Sequence, residues 1–159
     1  METRQTKGSA GEERVARAIA NLGYKVIHVG GAVRYALDGL KFFCADLLPY
    51  GNQNTFWVQV KHKEPRIYFP DTGLELWRYK ALIKHQSESG RPVLLLFTDD
   101  STANSVLGVG EDKIYGEWLD KLSECVSTYG STWNKADKCE MIYFLLSKLK
   151  HYKMLLNSV

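Results

Sequence analysis

Cysteine is scarce in this sequence, and what there is does not pair. Cys44, Cys125 and Cys139 stand far apart with no CxxC spacing, which argues against a disulfide framework and against a structural zinc site. No apolar run approaches the roughly 20 residues that a membrane-spanning helix needs, so no membrane partner is expected. The opening METRQTKGSAGEE is polar and lacks the apolar core of a signal peptide. A soluble, cytoplasmic protein is the expectation. Low-complexity tracts, basic tails, internal repeats and domain-splitting linkers are also missing. So are a GxSxG elbow and a Cys/His pairing, which leaves small-molecule hydrolase chemistry without a nucleophile motif.

What is present is an ordinary globular mix. Hydrophobic residues make up 45% and charged residues 25% of 159, enough for one domain with a full core. The net charge of +3 permits an anionic partner without demanding one. Periodicity predicts a helix over residues 9–22, with Val15, Ala16 and Ile19 as its apolar stripe and Gly23 as its stop. Strands are predicted over 24–29, 42–49 and 55–62, the last two separated by the turn signal GNQN at 51–54. Residues 30–40 read as a loop. A short edge strand is expected over 67–69, ended by PDTG. A helix follows over 74–89, with Leu76, Tyr79, Leu82 and Ile83 facing inward. The nearly all-apolar run 92–98 reads as a buried central strand. Farther on, GEWLDKLSECV from Gly116 has helical periodicity, MIYFLL (141–146) reads as a last strand, and SKLKHYKML as a short basic helix. The order describes an α/β sandwich with a mixed sheet.

The third strand, FWVQVKHK (56–63), poses the functional question. Phe56, Val58 and Val60 alternate with Gln59 and Lys61, so one face enters a core while the other carries an amide and an amine. If GNQN closes the hairpin, Tyr50 pairs with Thr55, and counting back sets Asp46 opposite Gln59. Lys61 shares their face because the strand period is two. A one-residue slip would scatter the three. Asp38 falls outside this pairing and reads as a turn residue in Asp38-Gly39. Glu12 precedes Val15, Ala16 and Ile19 by three, four and seven residues, which puts a carboxylate on the apolar stripe of the first helix. Such a group is costly unless a cation or metal compensates it. Glu13, four residues before Arg17, is expected to make an exposed pair instead.

The run KGSAGEERVARAIANLGYKVI, then Asp46-Leu47-Leu48, then Gln59-Val60-Lys61, resembles the PD-(D/E)xK nuclease superfamily, and most closely its archaeal-type Holliday junction resolvase branch. The resemblance covers roughly residues 7–98: Gly8 and Glu12 as the glycine-xxx-glutamate that opens the first helix, Asp46 on the second strand, and Gln59-x-Lys61 on the third. Two departures are plain. Gln59 stands where the family usually has an acid, as in some QxK members, and Ala45 rather than proline precedes Asp46.

The resemblance implies a restriction-endonuclease-like fold, a central mixed β-sheet flanked by helices, in a single nuclease-like domain with residues 99–159 as accessory strand and helices. It implies a metal-dependent DNA endonuclease, acting on branched DNA such as Holliday junctions, with Mg²⁺ as cofactor, Mn²⁺ as substitute, and a homodimeric assembly. Asp46, Glu12, the Gln59 amide oxygen and the Val60 carbonyl would hold the ion, and Lys61 would orient the attacking water or stabilise the developing charge. Lys63 and Arg66 at the strand exit, Lys80 and Lys84 on the following helix, and Lys7 ahead of the first helix are candidate phosphate contacts. The competing reading is a catalytically inactive DNA-binding or assembly protein on the same fold, favoured by the neutral Gln59.

Overall fold

The computed structural model describes residues 4–30, 33–35, 37–51, 53–99 and 113–156. In chain order the elements are α1 (Arg4–Asn21), β1 (Lys25–His28), β2 (Val33–Tyr35), β3 (Lys41–Phe43), β4 (Leu47–Gly51), β5 (Asn54–Thr55), β6 (Trp57–His62), β7 (Asp71–Glu75), α2 (Leu76–Ser89) and β8 (Val93–Thr98). They continue with β9 (Ile114–Trp118), α3 (Leu119–Leu122), β10 (Trp133–Asn134), β11 (Cys139–Leu145), β12 (Lys150–His151) and α4 (Tyr152–Leu156). No described helix is long and apolar enough to cross a membrane.

The central sheet has the order β1-β4-β6-β8-β9-β12, with β5 paired to β4. Only β6 and β8 run parallel; the other described neighbours are antiparallel. Every residue of β8 is buried, which explains its unbroken apolar run: both faces of that strand are covered. Leu94 and Leu96 pack with Val15 and Ile19 of α1, Val58 of β6 and Leu155 of α4. Val93, Leu95 and Phe97 pack on the opposite side with Leu82 of α2, Leu119 of α3 and Phe144 of β11. The result is the expected α/β sandwich around a mixed sheet.

A second antiparallel sheet, β10-β11-β7, stands on the α2 side. Gly73 permits its close pairing, because a Cβ there would lie 2.0 Å from the Ile142 carbonyl oxygen. The loop leading into β7 is fastened by Asp71, which is fully buried. Its carboxylate accepts from Arg66 Nε and one terminal nitrogen of Arg66 at 2.6 Å each, and from Ser127 Oγ at 2.5 Å. Arg66 also donates to the Tyr129 and Ser131 carbonyls at 2.7 and 3.1 Å and lies 3.7 Å from the Tyr143 ring centre.

Several elements differ from the sequence expectation. The strand expected over 42–49 is two strands: β3 turns back on β2, and β4 joins the central sheet. Residues 67–69 form bends rather than an edge strand, and PDTG begins β7 instead of ending a strand. In α2 the buried residues are Leu82 and His85, whereas Ile83 faces solvent; the inward stripe follows i, i+3. Gly116 to Trp118 complete β9, and the helix keeps only Leu119–Leu122 before a 3₁₀ turn. Pairing with β8 and burial of Ile114 and Tyr115 outweigh the helical periodicity there. The strand read at 141–146 exists as β11, but in the second sheet. The terminal basic stretch divides into a 3₁₀ turn, β12 and α4.

Replacing Asp71 by Ala leaves the Arg66 guanidinium, 15% exposed, without its counter-charge. A loss of about 3 kcal/mol is expected from breaking such a pair, read from urea unfolding followed by circular dichroism. A loss below about 1 kcal/mol would mark the pair as an ordinary surface bridge.

Candidate active site

A cavity of about 380 Å³ opens where α1, the end of β6, the β7–α2 junction and the β10–β11 hairpin meet. Glu12, Asp46, Gln59, Val60, Lys61, His62, Lys63, Glu75, Arg78, Asn134, Asp137 and Met141 line it. All four residues expected to be catalytic are therefore in one cavity, together with Val60.

Local strand physics brings them there. Tyr50 lies opposite Thr55 and Leu47 opposite Val58, a single register that carries Asp46 to Gln59 as the hairpin count predicts. Beyond Leu47 the ladder between β4 and β6 stops. The Val60 N–H, left without a strand partner on that side, donates instead to Asp46 Oδ2 at 2.9 Å. Val29 and Gly30 N–H groups donate to the Asp46 carbonyl at 2.9 and 3.2 Å, so backbone and side chain of this residue are both fixed. Helix α1 reaches the same end of the sheet because residue 11 is glycine: a Cβ would sit 3.0 Å from Thr98 Oγ1 and 3.1 Å from His62 Cβ. The next residue, half-buried Glu12, meets Asp46.

The cavity has two electrostatic halves. In the first, the Glu12 carboxyl is pushed up to about 7, by burial and then by the adjacent Asp46, with which it shares a hydrogen bond. Burial also raises Asp46, against the pull of the Val60 N–H and of Arg78. Gln59 is 2% exposed, and its Oε1 has no hydrogen-bond partner. In the second half, Lys61 Nζ donates to Glu75 Oε1 at 2.9 Å and Arg78 Nε to Glu75 Oε2 at 3.1 Å. Burial alone would raise Glu75, but the Lys61 ammonium, followed by its own backbone N–H and by Arg78, more than offsets it and holds the carboxyl at about 2.

The candidate phosphate contacts are scattered. Lys63 lines the cavity, its pKa lowered by burial and then by Lys61. Arg66 is not among the residues that line the cavity; four hydrogen bonds engage it within the fold. Lys80 is exposed, and Lys84 pairs with Glu88 at 3.7 Å on the helix surface. The side chain of Lys7 lies outside the described residues. Asp38 does make the expected turn, accepting from the Leu40 N–H at 3.0 Å, and Glu13 pairs with Arg17 in the open.

Glu75, Arg78, Asn134 and Asp137 were not legible as cavity residues. A glutamate three residues before an arginine at a helix start was the one available signal for the first pair. Asn134 and Asp137 arrive through the non-local pairing of β11 with β7, for which the sequence carries no local mark.

No protein-family model and no curated protein matches the sequence. Among solved structures the chain matches Hjc of Archaeoglobus fulgidus, a Holliday junction resolvase from an archaeal hyperthermophile, with a TM-score of 0.56. The match spans 89% of this chain and 85% of that one at 12% identity. The chain has that resolvase fold. At this identity the likeness concerns architecture, and the roles of individual residues rest on their own geometry.

The donor set suits a hard divalent cation. Two carboxyl residues and an amide residue line the same cavity, and all offer oxygen donors of the kind Mg²⁺ prefers. The buried, unpartnered Gln59 Oε1 is a lone pair that a cation would satisfy. Among the described residues no three His, Cys, Asp or Glu side chains converge as ligands, so a third oxygen would have to come from the amide or a backbone carbonyl.

Without a cation, the raised Glu12 pKa has a definite pH signature. A carboxyl at about 7 when folded, against 4.5 as its ordinary value, stabilises the fold below pH 4.5 relative to higher pH. That stability is lost as pH rises through about 7. Thermal melts in chelator across this window should therefore show the parent falling relative to Glu12→Gln as pH increases. Parallel curves would mean that Glu12 titrates as an ordinary exposed carboxyl.

Proposed function

We propose that this protein is a metal-dependent DNA endonuclease that hydrolyses phosphodiester bonds in branched DNA such as a Holliday junction, acting as a homodimer. One observation carries the reading: the paired Glu12–Asp46 carboxyls, the orphaned Gln59 oxygen and the Lys61 ammonium face one cavity, in the register that the nuclease motif requires. The fold shared with a junction resolvase supports branched DNA as the substrate class and a dimer as the assembly.

Each residue has a task set by its surroundings. Asp46, with one oxygen held by the Val60 N–H, keeps the other for a cation. Glu12 and Gln59 complete the oxygen set, with the Val60 carbonyl beside them. A bound Mg²⁺, or Mn²⁺ in its place, supplies Lewis acidity and a nucleophilic hydroxide at neutral pH. Lys61 lies in the cavity where it can orient water and stabilise negative charge building on the phosphate. Lys63 adds positive charge at the strand exit for the phosphate backbone.

Lys61→Ala is expected to lower cleavage of a labelled junction by at least about 100-fold without altering the fold, and cleavage at the parent rate would remove Lys61 from the mechanism. Asp46→Asn should lose cleavage while DNA affinity holds or rises, since a negative charge near the phosphate is gone. Gln59 divides the readings most sharply. Gln59→Glu keeps the oxygen and adds charge, so it should retain activity and tighten Mg²⁺ binding. Gln59→Leu removes the oxygen, so it should lose most activity. An inactive DNA-binding protein is the second reading, favoured by the neutral side chain at 59. It takes the lead if parent and Gln59→Glu both bind junctions and neither cuts with any divalent metal.

A further inference from the structure

The second half of the cavity has no part in the oxygen set, yet it is the more highly organised. Glu75 receives two cations on one carboxylate, Lys61 on Oε1 and Arg78 on Oε2. All three side chains are largely shielded, with Glu75 15% and each cation 25% exposed. We propose that Lys61, Glu75 and Arg78 form a clamp for a single phosphodiester group, in which Arg78 contacts the phosphate and Glu75 is the positioning residue that holds both cations side by side. The proposal rests on the nuclease reading of the cavity and names a binding site within it.

Three observations support it. Glu75 is the residue preceding α2 and occupies its N-cap position, where an acidic side chain ordinarily accepts from the first free N–H groups of the helix. It makes no such bond and is turned to the cations instead. Arg78 spends Nε on Glu75, and no hydrogen bond engages its terminal nitrogens among the described residues. Its guanidinium lies 4.7 Å from the Trp77 ring centre and 5.9 Å from that of Phe43, contacts that leave the edge of the planar fork, suited to two phosphate oxygens, available on the cavity wall, 25% exposed. Finally, Glu75 is not a substitute for the acid missing at position 59. No three carboxylates converge as ligands among the described residues, and Glu75 is committed to positive partners. Two cations on one carboxylate leave a net positive charge within electrostatic reach of Asp46. A phosphate bridging the oxygen set and the clamp would meet complementary charge on both sides.

The test uses the full chain and a fluorescently labelled four-way DNA junction. Affinity is measured by anisotropy in chelator, and single-turnover cleavage at saturating DNA in Mg²⁺. Arg78→Ala should weaken binding at least tenfold, and Arg78→Lys, which keeps the charge without the fork, should recover only part of it. Glu75→Gln gives the decisive sign. Removing a negative charge beside DNA would by simple electrostatics tighten binding, and a merely structural ion pair would leave it unchanged. A positioning role predicts weaker binding and at least tenfold slower cleavage, with a melting temperature close to the parent's. If the parent cuts and both Arg78→Ala and Glu75→Gln bind and cut like it, the clamp is overturned and the nuclease reading stands. If the parent binds but never cuts, the nuclease reading falls. The clamp is then decided by anisotropy alone, supported by the Arg78→Ala loss and overturned by equal affinity. A parent that neither binds nor cuts overturns both.

Discussion

The hydrogen bond from the Val60 N–H to Asp46 Oδ2 is the joint on which this site turns. A strand leaving its neighbour normally strands backbone donors, and buried donors demand partners. Here the departing strand leaves an aspartate behind, so its side chain closes the gap at 2.9 Å. The bond fixes the carboxylate at the mouth of a fork between β4 and β6. One oxygen becomes structural and the other faces the cavity. Because Asp46 is only 6% exposed, it cannot be left charged cheaply beside a second carboxyl. Glu12 absorbs the conflict by holding a proton up to about pH 7. On the proposed function, a cation binding here would displace that proton.

The same cavity keeps its positive charge separate. Lys61 comes from the strand that supplies Gln59, two residues on, but it is drawn away from the acidic pair by Glu75 at 2.9 Å. Among the described residues, the Glu12–Asp46 pair thus takes no salt bridge from Lys61 or Arg78, both of which bridge to Glu75. On the proposed function, an anionic phosphoryl group carried on a cation would match that arrangement. The second sheet makes the far wall possible: β11 pins β7 through Met141 opposite Glu75, and the Asp71–Arg66 pair fastens the loop that leads into it. The C-terminal third, which lies outside the residues that carry the family resemblance, therefore helps to shape the cavity.

Much of this was legible in the sequence, for a physical reason. Strand period and hairpin count are local rules, so Asp46, Gln59 and Lys61 could be brought together from Tyr50 and Thr55 alone. Glu12 was legible because a carboxylate on an apolar stripe has to be explained. The all-apolar β8 announced its central position in the same way. What failed to show were features decided by distant pairing. The split of 42–49 depends on β3 folding back onto β2. The recruitment of Gly116–Trp118 into β9 depends on β8. Glu75 was passed over because the helix was expected to begin at Leu74, which made it one more polar residue in a first turn. For Arg66 the sequence showed a basic residue near a basic run but not its buried partner Asp71, five residues away on the next strand.

The central proposal is that Glu12, Asp46 and Gln59 bind a divalent cation in exchange for the Glu12 proton. Calorimetric titration of the parent with Mg²⁺ at pH 7, repeated in two buffers of different ionisation enthalpy, measures that exchange directly. With Glu12 titrating at about 7, binding should release about half a proton per ion, and the release should vanish in Glu12→Gln. Binding with no proton release, or no binding at all, would contradict the account.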